Sequence, residues 1–160
     1  MKYYSHLRAW NKSGNHDLTF SNSHEKTYQV RDSSTQATLK ARLLERMKNS
    51  KNMVLIISDG TNYDRGMLNF EIEKTVNYYE LPLFIAYPEY RSILNPLSHA
   101  AKWPKALQER IDSGVAKAMH IPFAQKPIFA AITQFSVHNQ KPKSSLSYYK
   151  KEAYERWELL

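Results

Sequence analysis

One stretch of the chain, SDGTNYDRGMLNFEIEKTV at residues 58–76, carries the side chains best suited to chemistry. It overlaps the end of the apolar run NMVLIIS, which has the composition of a buried strand. In open α/β sheets, ligands bind at the carboxyl ends of the strands, so the turn after this run is expected to line a binding cleft. The residues of that turn are Ser58, Asp59, Gly60, Thr61 and Asn62.

Glu71 is the candidate catalytic side chain of this stretch. At about 100° per residue, the helix that follows the turn buries a stripe through Leu68, Ile72 and Tyr79. Glu71 lies at the border of the stripe, about 80° from its centre, whereas Glu73 lies on the solvent side. A carboxylate at such a border points into a cleft and is partly desolvated, which tunes it for chemistry. The alternative is structural, because a glutamate in the first turn of a helix interacts favourably with the helix dipole.

Alternating apolar and amphipathic segments position these groups. The runs NMVLIIS, LPLFIAY and AMHIPF are short and rich in branched residues, as expected of strands buried on both faces of a parallel sheet. Helical spacing is found in SSTQATLKARLLERMKNS, GMLNFEIEKTVNYY, KALQERIDSG and KPIFAAITQFSV. The alternation predicts an α/β sandwich with a mainly parallel sheet.

The two ends of the chain complete the predicted organisation. HDLTFSNS is predicted as a further short strand, whereas the spacing of Tyr3, Leu7 and Trp10 favours a helix, so the sheet has four to five strands. NQKPKSS is interpreted as a linker into a last helix. The predicted organisation is one domain over residues 1–140 and a C-terminal helical extension over residues 141–160.

Composition excludes several classes of enzyme. The chain of 160 residues has no cysteine, so disulfides and thiolate sites are excluded. Its four glycines cannot form a dinucleotide fingerprint or a P-loop, and no G-x-S-x-G elbow is present. The six histidines show no metal-ligand spacing, so no metal site is expected. No signal core or membrane-length apolar run is found, which predicts a cytoplasmic protein without a membrane partner.

The net charge of +8 predicts attraction to polyanions. In the tail KPKSSLSYYKKEAYERW, lysines alternate with aromatic residues, which would suit a nucleic-acid-binding surface. A helix that packs these aromatics onto the sheet explains the same pattern. Mixing of basic residues with acids and aromatics throughout the chain favours a solvated surface, so nucleic acid is an unlikely partner.

The chain resembles TIR-like domains of the Thoeris ThsB type. MVLIISDGTNYDRGMLNFEIEKTV is similar to the family segment in which a strand and a "G-x-x-T" turn lead to a "W-V-x-x-E-I-x-x-A" helix. LRAWNKSGNHDLTFSNSHE resembles the family's "K-A-W … D-F-x-F-x-(N/D)-(A/S)-H-D" segment, and MHIPFAQKPIFAAITQFS its closing strand and helix. The resemblance covers about residues 3–138 and implies a flavodoxin-like, three-layer TIR fold.

The resemblance also implies an activity, the cleavage of the nicotinamide ribosyl bond of NAD+, with NAD+ as substrate and no bound cofactor. The family's catalytic glutamate falls on Glu71. The amides of the turn at residues 58–62, the start of the next helix and Arg65 are suited to holding the pyrophosphate. His24 falls on the histidine of the family's "H-D" pattern and is expected to contribute to binding the substrate. The released ADP-ribosyl group is expected to become a signalling nucleotide that activates an effector protein during phage infection.

Two departures from the family pattern keep a second function open. Met67 occupies the position of the family's tryptophan, and the usual opening strand of the "V-F-I-S-F" kind does not precede Tyr3. Either KYYSHL is a disguised strand, or the protein starts upstream, or the pocket is reduced. The alternative to an enzyme is therefore a non-catalytic TIR-like module that binds itself, a partner or a nucleotide. Self-association is expected in both cases.

Overall fold

The computed structural model describes residues 2–14, 19–20, 36–61 and 67–160. By their internal contacts, the residues fall into two compact units, Met1–Asn49 and Ser50–Leu160. The predicted strand HDLTFSNS lies almost wholly outside the described residues. The predicted division at residue 140 stays a prediction.

The first unit contains two helices, α1 at Lys2–Ser13 and α2 at Gln36–Lys48. The N-terminal segment is thus the helix that its spacing predicts, and KYYSHL is not a disguised strand. In α1 the side chain of Leu7 is buried, and the hydroxyl of Tyr4 donates to the carbonyl of Phe20 at 3.0 Å. In α2 the buried positions are Leu43 and Met47, one helical turn apart.

The second unit is built on a parallel sheet. Its strands are β1 at Met53–Ile56, β2 at Leu83–Tyr87, β3 at Ala118–Pro122 and β4 at Ser147–Tyr148, in that spatial order and all parallel. The first three are the apolar runs predicted as strands, and β2 and β3 are buried along their whole length. The two-residue strand β4 lies just after the predicted linker NQKPKSS, in the segment that the sequence predicted as part of the last helix.

The helices of this unit follow the predicted alternation. They are α3 at Leu68–Glu73 with a π-helical continuation over Lys74–Tyr78, a 3-10 helix at Pro96–Lys102, α4 at Lys105–Asp112, α5 at Gln125–Gln134 and α6 at Lys151–Arg156. The 3-10 helix was not predicted. In the C-terminal helix, Tyr154 is fully buried, and its hydroxyl donates to the carbonyl of Ile93 at 3.4 Å.

Alternation along the strands sends neighbouring side chains to opposite faces of the sheet. On one face, a buried cluster joins the strands to α3 and α4; its members include Leu55, Ile72, Ile85, Trp103 and Leu107. On the other face, α5 contacts β2 and β3, and the rings of Phe84 and Phe135 lie 6.4 Å apart. Helices therefore cover both faces, and the predicted three-layer, flavodoxin-like architecture is confirmed.

The helix after β1 departs from its predicted regularity. The amide of Tyr79 donates to the carbonyl of Lys74 at 3.0 Å, which is the five-residue spacing of a π-helix. Nothing in the sequence marks this change, since the segment contains neither proline nor internal glycine. The wider turn keeps Thr75 and Val76 buried together, whereas Tyr79 from the predicted stripe is only partly buried.

Within the described residues, no helix combines the length and the apolar character that crossing a membrane requires.

Candidate functional site

The turn after β1 has a defined internal geometry. The amide of Ser58 donates to the hydroxyl of Thr61 at 2.9 Å, and the amide of Thr61 donates to the carbonyl of Ser58 at 3.1 Å. The amides of Ser58 and Thr61 are therefore hydrogen-bonded within the turn. The amides of Asp59 and Gly60 donate to no other residue that the structure describes, so they are the two the turn can offer to a ligand.

Gly60 enables this turn because its φ of +86° lies in the left-handed region. Apart from its chain neighbours, no described residue has a heavy atom within 4 Å of a Cβ at this position, so the cost of a side chain comes from the backbone. We expect Gly60→Ala to lower the free energy of unfolding by about 1–2 kcal/mol. Gly60→Asn should cost less, because asparagine tolerates this conformation better. Urea unfolding of both variants measures the difference, and equal losses would contradict a backbone origin.

Glu71 lies in the first turn of α3, directly beyond this loop. Its amide donates to the carbonyl of Met67 at 2.8 Å, and its side chain is only 1% exposed, with the Oε1 atom fully buried. Burial is deeper than the partial desolvation expected for a residue at the border of the stripe. Glu73, two residues further on, is exposed as predicted. A carboxylate shielded from water acts more strongly on a nearby positive charge than one in solvent.

A side-chain contact joins the start of α3 to the start of α4. The carboxamide Oδ1 of Asn69 accepts a hydrogen bond at 2.9 Å from the amide of Ala106, which is one of the first-turn amides that a helix cannot satisfy itself. The two helix starts therefore meet at the carboxyl edge of the sheet, where Glu71 lies in the first turn of α3.

Lys102 connects the turn to the segment between β2 and α4. Its Nζ donates to the hydroxyl of Tyr90 at 2.8 Å, lies 4.7 Å from the centroid of that ring, and approaches the Oδ1 of Asp59 to 3.8 Å. The ring of His99 stands edge-on to Tyr90, with centroids 4.7 Å apart. Burial, and then the charge of Lys102, lowers the pKa of His99 below its ordinary 6.5.

A buried polar network lies beneath this edge. Because the carbonyl of Ser145 can only accept, the Nε2–H of His120 donates to it at 2.8 Å. The Nδ1 of His120 then accepts from the hydroxyl of Tyr87 at 2.8 Å, and this hydroxyl accepts from the indole N–H of Trp103 at 2.9 Å. Each ring of the network has its polar atoms satisfied, and the histidine is neutral in this arrangement.

Burial lowers the pKa of His120 from 6.5 to about 4, against the opposing effect of its hydrogen bond to Ser145. Between pH 4 and 6.5, His120 binds a proton in the unfolded chain but not in the folded chain. The free energy of unfolding therefore rises with pH across this range. We expect the free energy of unfolding to fall by about 3 kcal/mol as the pH drops from 6.5 to 4. Urea titrations across this range, compared with a His120→Gln variant, isolate the contribution. If the free energy of unfolding of His120→Gln depends on pH as steeply as that of the wild type, the assignment to His120 is wrong. His138→Gln, at an exposed position, is the control.

The structure describes only part of the predicted site. Ser58, Asp59, Gly60 and Thr61 form one turn at the carboxyl edge, and Glu71 lies in the first turn of α3. Asn62, Arg65 and His24 lie outside the described residues. Spacing did not reveal Lys102, Tyr90 or the network of Tyr87, Trp103 and His120, because their partners are distant in sequence. The one feature of the sequence that indicates a buried polar network is His120, a histidine within the apolar run AMHIPF.

A depression of about 320 Å³ lies at the opposite edge of the sheet. Its lining residues are Val76, Glu80, Leu81, Val115, Lys117 and Lys141. Leu81 lies two residues before β2 and Lys117 directly before β3, which places the depression at the amino ends of the strands. It is therefore separate from the turn after β1 and from Glu71. In the part of the chain that the structure covers, no group of three or more histidine, aspartate or glutamate residues is placed to hold a metal ion.

Comparison with protein families identifies the family of this chain. The family model described as "Thoeris protein ThsB, TIR-like domain" matches residues 1–93. The matched region contains the turn after β1, Glu71 and β2. Lys102 and His120 lie beyond it.

Proposed function

The chain belongs to the Thoeris ThsB TIR-like domain family, and from this premise we propose that it cleaves NAD+ between nicotinamide and ribose. The observation that carries the proposal is the place of Glu71: a carboxylate in the first turn of the helix after β1, 1% exposed, at the edge where α/β sheets bind ligands. Its position matches that of the glutamate in the family's "E-I" helix motif.

The chemistry needs little more than such a carboxylate. When the ribosyl C–N bond breaks, its electron pair neutralises the cationic ring nitrogen, so nicotinamide leaves without an acid catalyst. The ribosyl carbon becomes oxocarbenium-like, and a negative charge beside it stabilises this centre. An oxygen nucleophile then completes the transfer; if it is water, ADP-ribose and a proton are formed. Burial of Glu71 away from solvent strengthens the electrostatic effect.

The biological output that we propose is an ADP-ribose-derived signalling nucleotide, which reaches an effector protein by diffusion in antiphage defence. The amides of Asp59 and Gly60 are suited to the pyrophosphate, and Arg65 and His24 remain proposed contacts. We further propose that chains self-associate, so assays call for concentrated protein.

A non-catalytic TIR-like module is the second candidate. The depth of burial of Glu71 favours it, because a carboxylate that is 1% exposed also fits a purely structural role. In this case the chain would bind a nucleotide or a partner without breaking a bond.

Incubating the concentrated chain with NAD+ and following nicotinamide by chromatography separates the two candidates. The enzyme releases nicotinamide in proportion to time and protein concentration. Saturation-transfer NMR detects NAD+ binding in the same samples. Binding without release over a day would overturn the catalytic proposal in favour of the module.

A further inference from the structure

We propose that Lys102 is a phosphate-binding residue at the carboxyl edge, and that Asp59 pairs with it until a diphosphate-containing ligand takes its place. The proposed function supplies the expected ligand, a dinucleotide. The arrangement itself suits any nucleoside diphosphate, so it can be tested without turnover.

The ammonium group of Lys102 is held in a fixed position, unlike that of an ordinary surface lysine. It donates to the hydroxyl of Tyr90 at 2.8 Å and lies 4.7 Å from the centroid of the same ring, and the side chain is only 24% exposed. Its backbone ends the 3-10 helix and leads into the buried Trp103. Because the side chain is already ordered, binding an anion costs little additional conformational entropy.

Lys102 faces the turn proposed to bind the substrate. The Oδ1 of Asp59 approaches its Nζ to 3.8 Å, which is too long for a hydrogen bond, and the Asp59 side chain is 95% exposed. Exposed pairs of this kind contribute little to stability. A diphosphate carries more negative charge than a carboxylate and can accept several hydrogen bonds at once. It can therefore displace Asp59, which remains free to turn into solvent.

The carboxyl edge of the sheet also carries backbone amide donors and the carboxylate of Glu71. The amides of Asp59 and Gly60 belong to the turn that Lys102 contacts. The hydrogen bond between Asn69 and the amide of Ala106 ties the helix that follows Lys102 to the helix that carries Glu71. A dinucleotide lying along this edge would meet a cation at its phosphates and a carboxylate at its ribosyl carbon. This charge distribution matches the substrate.

The test measures the affinity of the full chain for ADP by calorimetry. Lys102→Met should weaken ADP binding roughly tenfold or more, because a charge-assisted contact is lost. Asp59→Asn should strengthen it by roughly threefold to tenfold, because a competing negative charge is removed. Lys105→Met is the matched control: this nearby lysine is 86% exposed and pairs with Glu109, and its replacement should leave the affinity unchanged.

The opposite signs distinguish binding from structure. If Lys102 and Asp59 form only a surface ion pair, neither variant changes the ADP affinity; this result, or a wild-type chain that does not bind ADP, would overturn the inference. Adenosine, which lacks phosphate, should bind all variants equally. If NAD+ is cleaved but Lys102→Met leaves ADP affinity unchanged, only the phosphate site fails. If ADP binding depends on Lys102 and NAD+ is not cleaved, only the proposed catalysis fails.

Discussion

Glu71→Gln is expected to slow nicotinamide release from NAD+ by at least about 100-fold, which is the scale on which an enzyme loses rate when one charge-stabilising group is removed. Glutamine keeps the size and hydrogen-bonding reach of the side chain but has no negative charge for the ribosyl centre. The measurement is the initial rate at saturating NAD+.

Glu73→Gln is the matched control for this prediction. It makes the same chemical change two residues away on the same helix, at an exposed position. Its rate should equal that of the wild type. If both variants retain the wild-type rate, Glu71 is not the catalytic group. If both lose it equally, the cause is a general change in the helix and not the charge beside the substrate.

Tyr87→Phe is expected to give the largest loss of stability, about 2–6 kcal/mol. The missing hydroxyl would leave two buried groups without their partner, the Nδ1 of His120 and the indole N–H of Trp103. Each buried polar atom left without a hydrogen bond costs about 1–3 kcal/mol. Urea unfolding, monitored by tryptophan fluorescence and circular dichroism, measures the loss.

Tyr154→Phe provides the comparison, since both tyrosines have no exposed surface. The hydroxyl of Tyr154 makes one long hydrogen bond, 3.4 Å to the carbonyl of Ile93. Its removal should cost about 1 kcal/mol or less. Similar losses in the two variants would show that removal of a buried hydroxyl, and not the network around Tyr87, determines the cost.

The sequence was sufficient to predict the parts of the fold that depend on local pattern. Apolar runs of strand length identify β1, β2 and β3. Strands β2 and β3 need no polar alternation because they are buried along their whole length, whereas β1 is mostly half-buried. Helical spacing identifies the helices between them. The position of Glu71 in the helix after β1 follows from the same spacing, and the turn at Ser58–Thr61 follows from its place after a buried strand.

Features that depend on tertiary contacts could not be predicted in this way. The hydroxyl of Tyr87 bonds to residues 16 and 33 positions away, and in the sequence these residues have the appearance of ordinary strand and loop positions. The pairing of Lys102 with Asp59 joins the 3-10 helix after β2 to the turn after β1. These segments come together only when β1 and β2 pair in the sheet. Strand β4 is only two residues long and is defined by its pairing with β3. The full burial of Glu71 could not be predicted either, because a helical projection gives the direction of a side chain but not the residues that cover it.

The most direct test of the central claim, that Glu71 enables this chain to break NAD+, is mass spectrometry of the small molecules formed when the concentrated protein is incubated with NAD+, alongside its Glu71→Gln variant. We predict equal amounts of nicotinamide and an ADP-ribose-derived product from the wild type, and neither from the variant. Equal nicotinamide formation by both proteins, or intact NAD+ with a wild type that binds it, would contradict the claim.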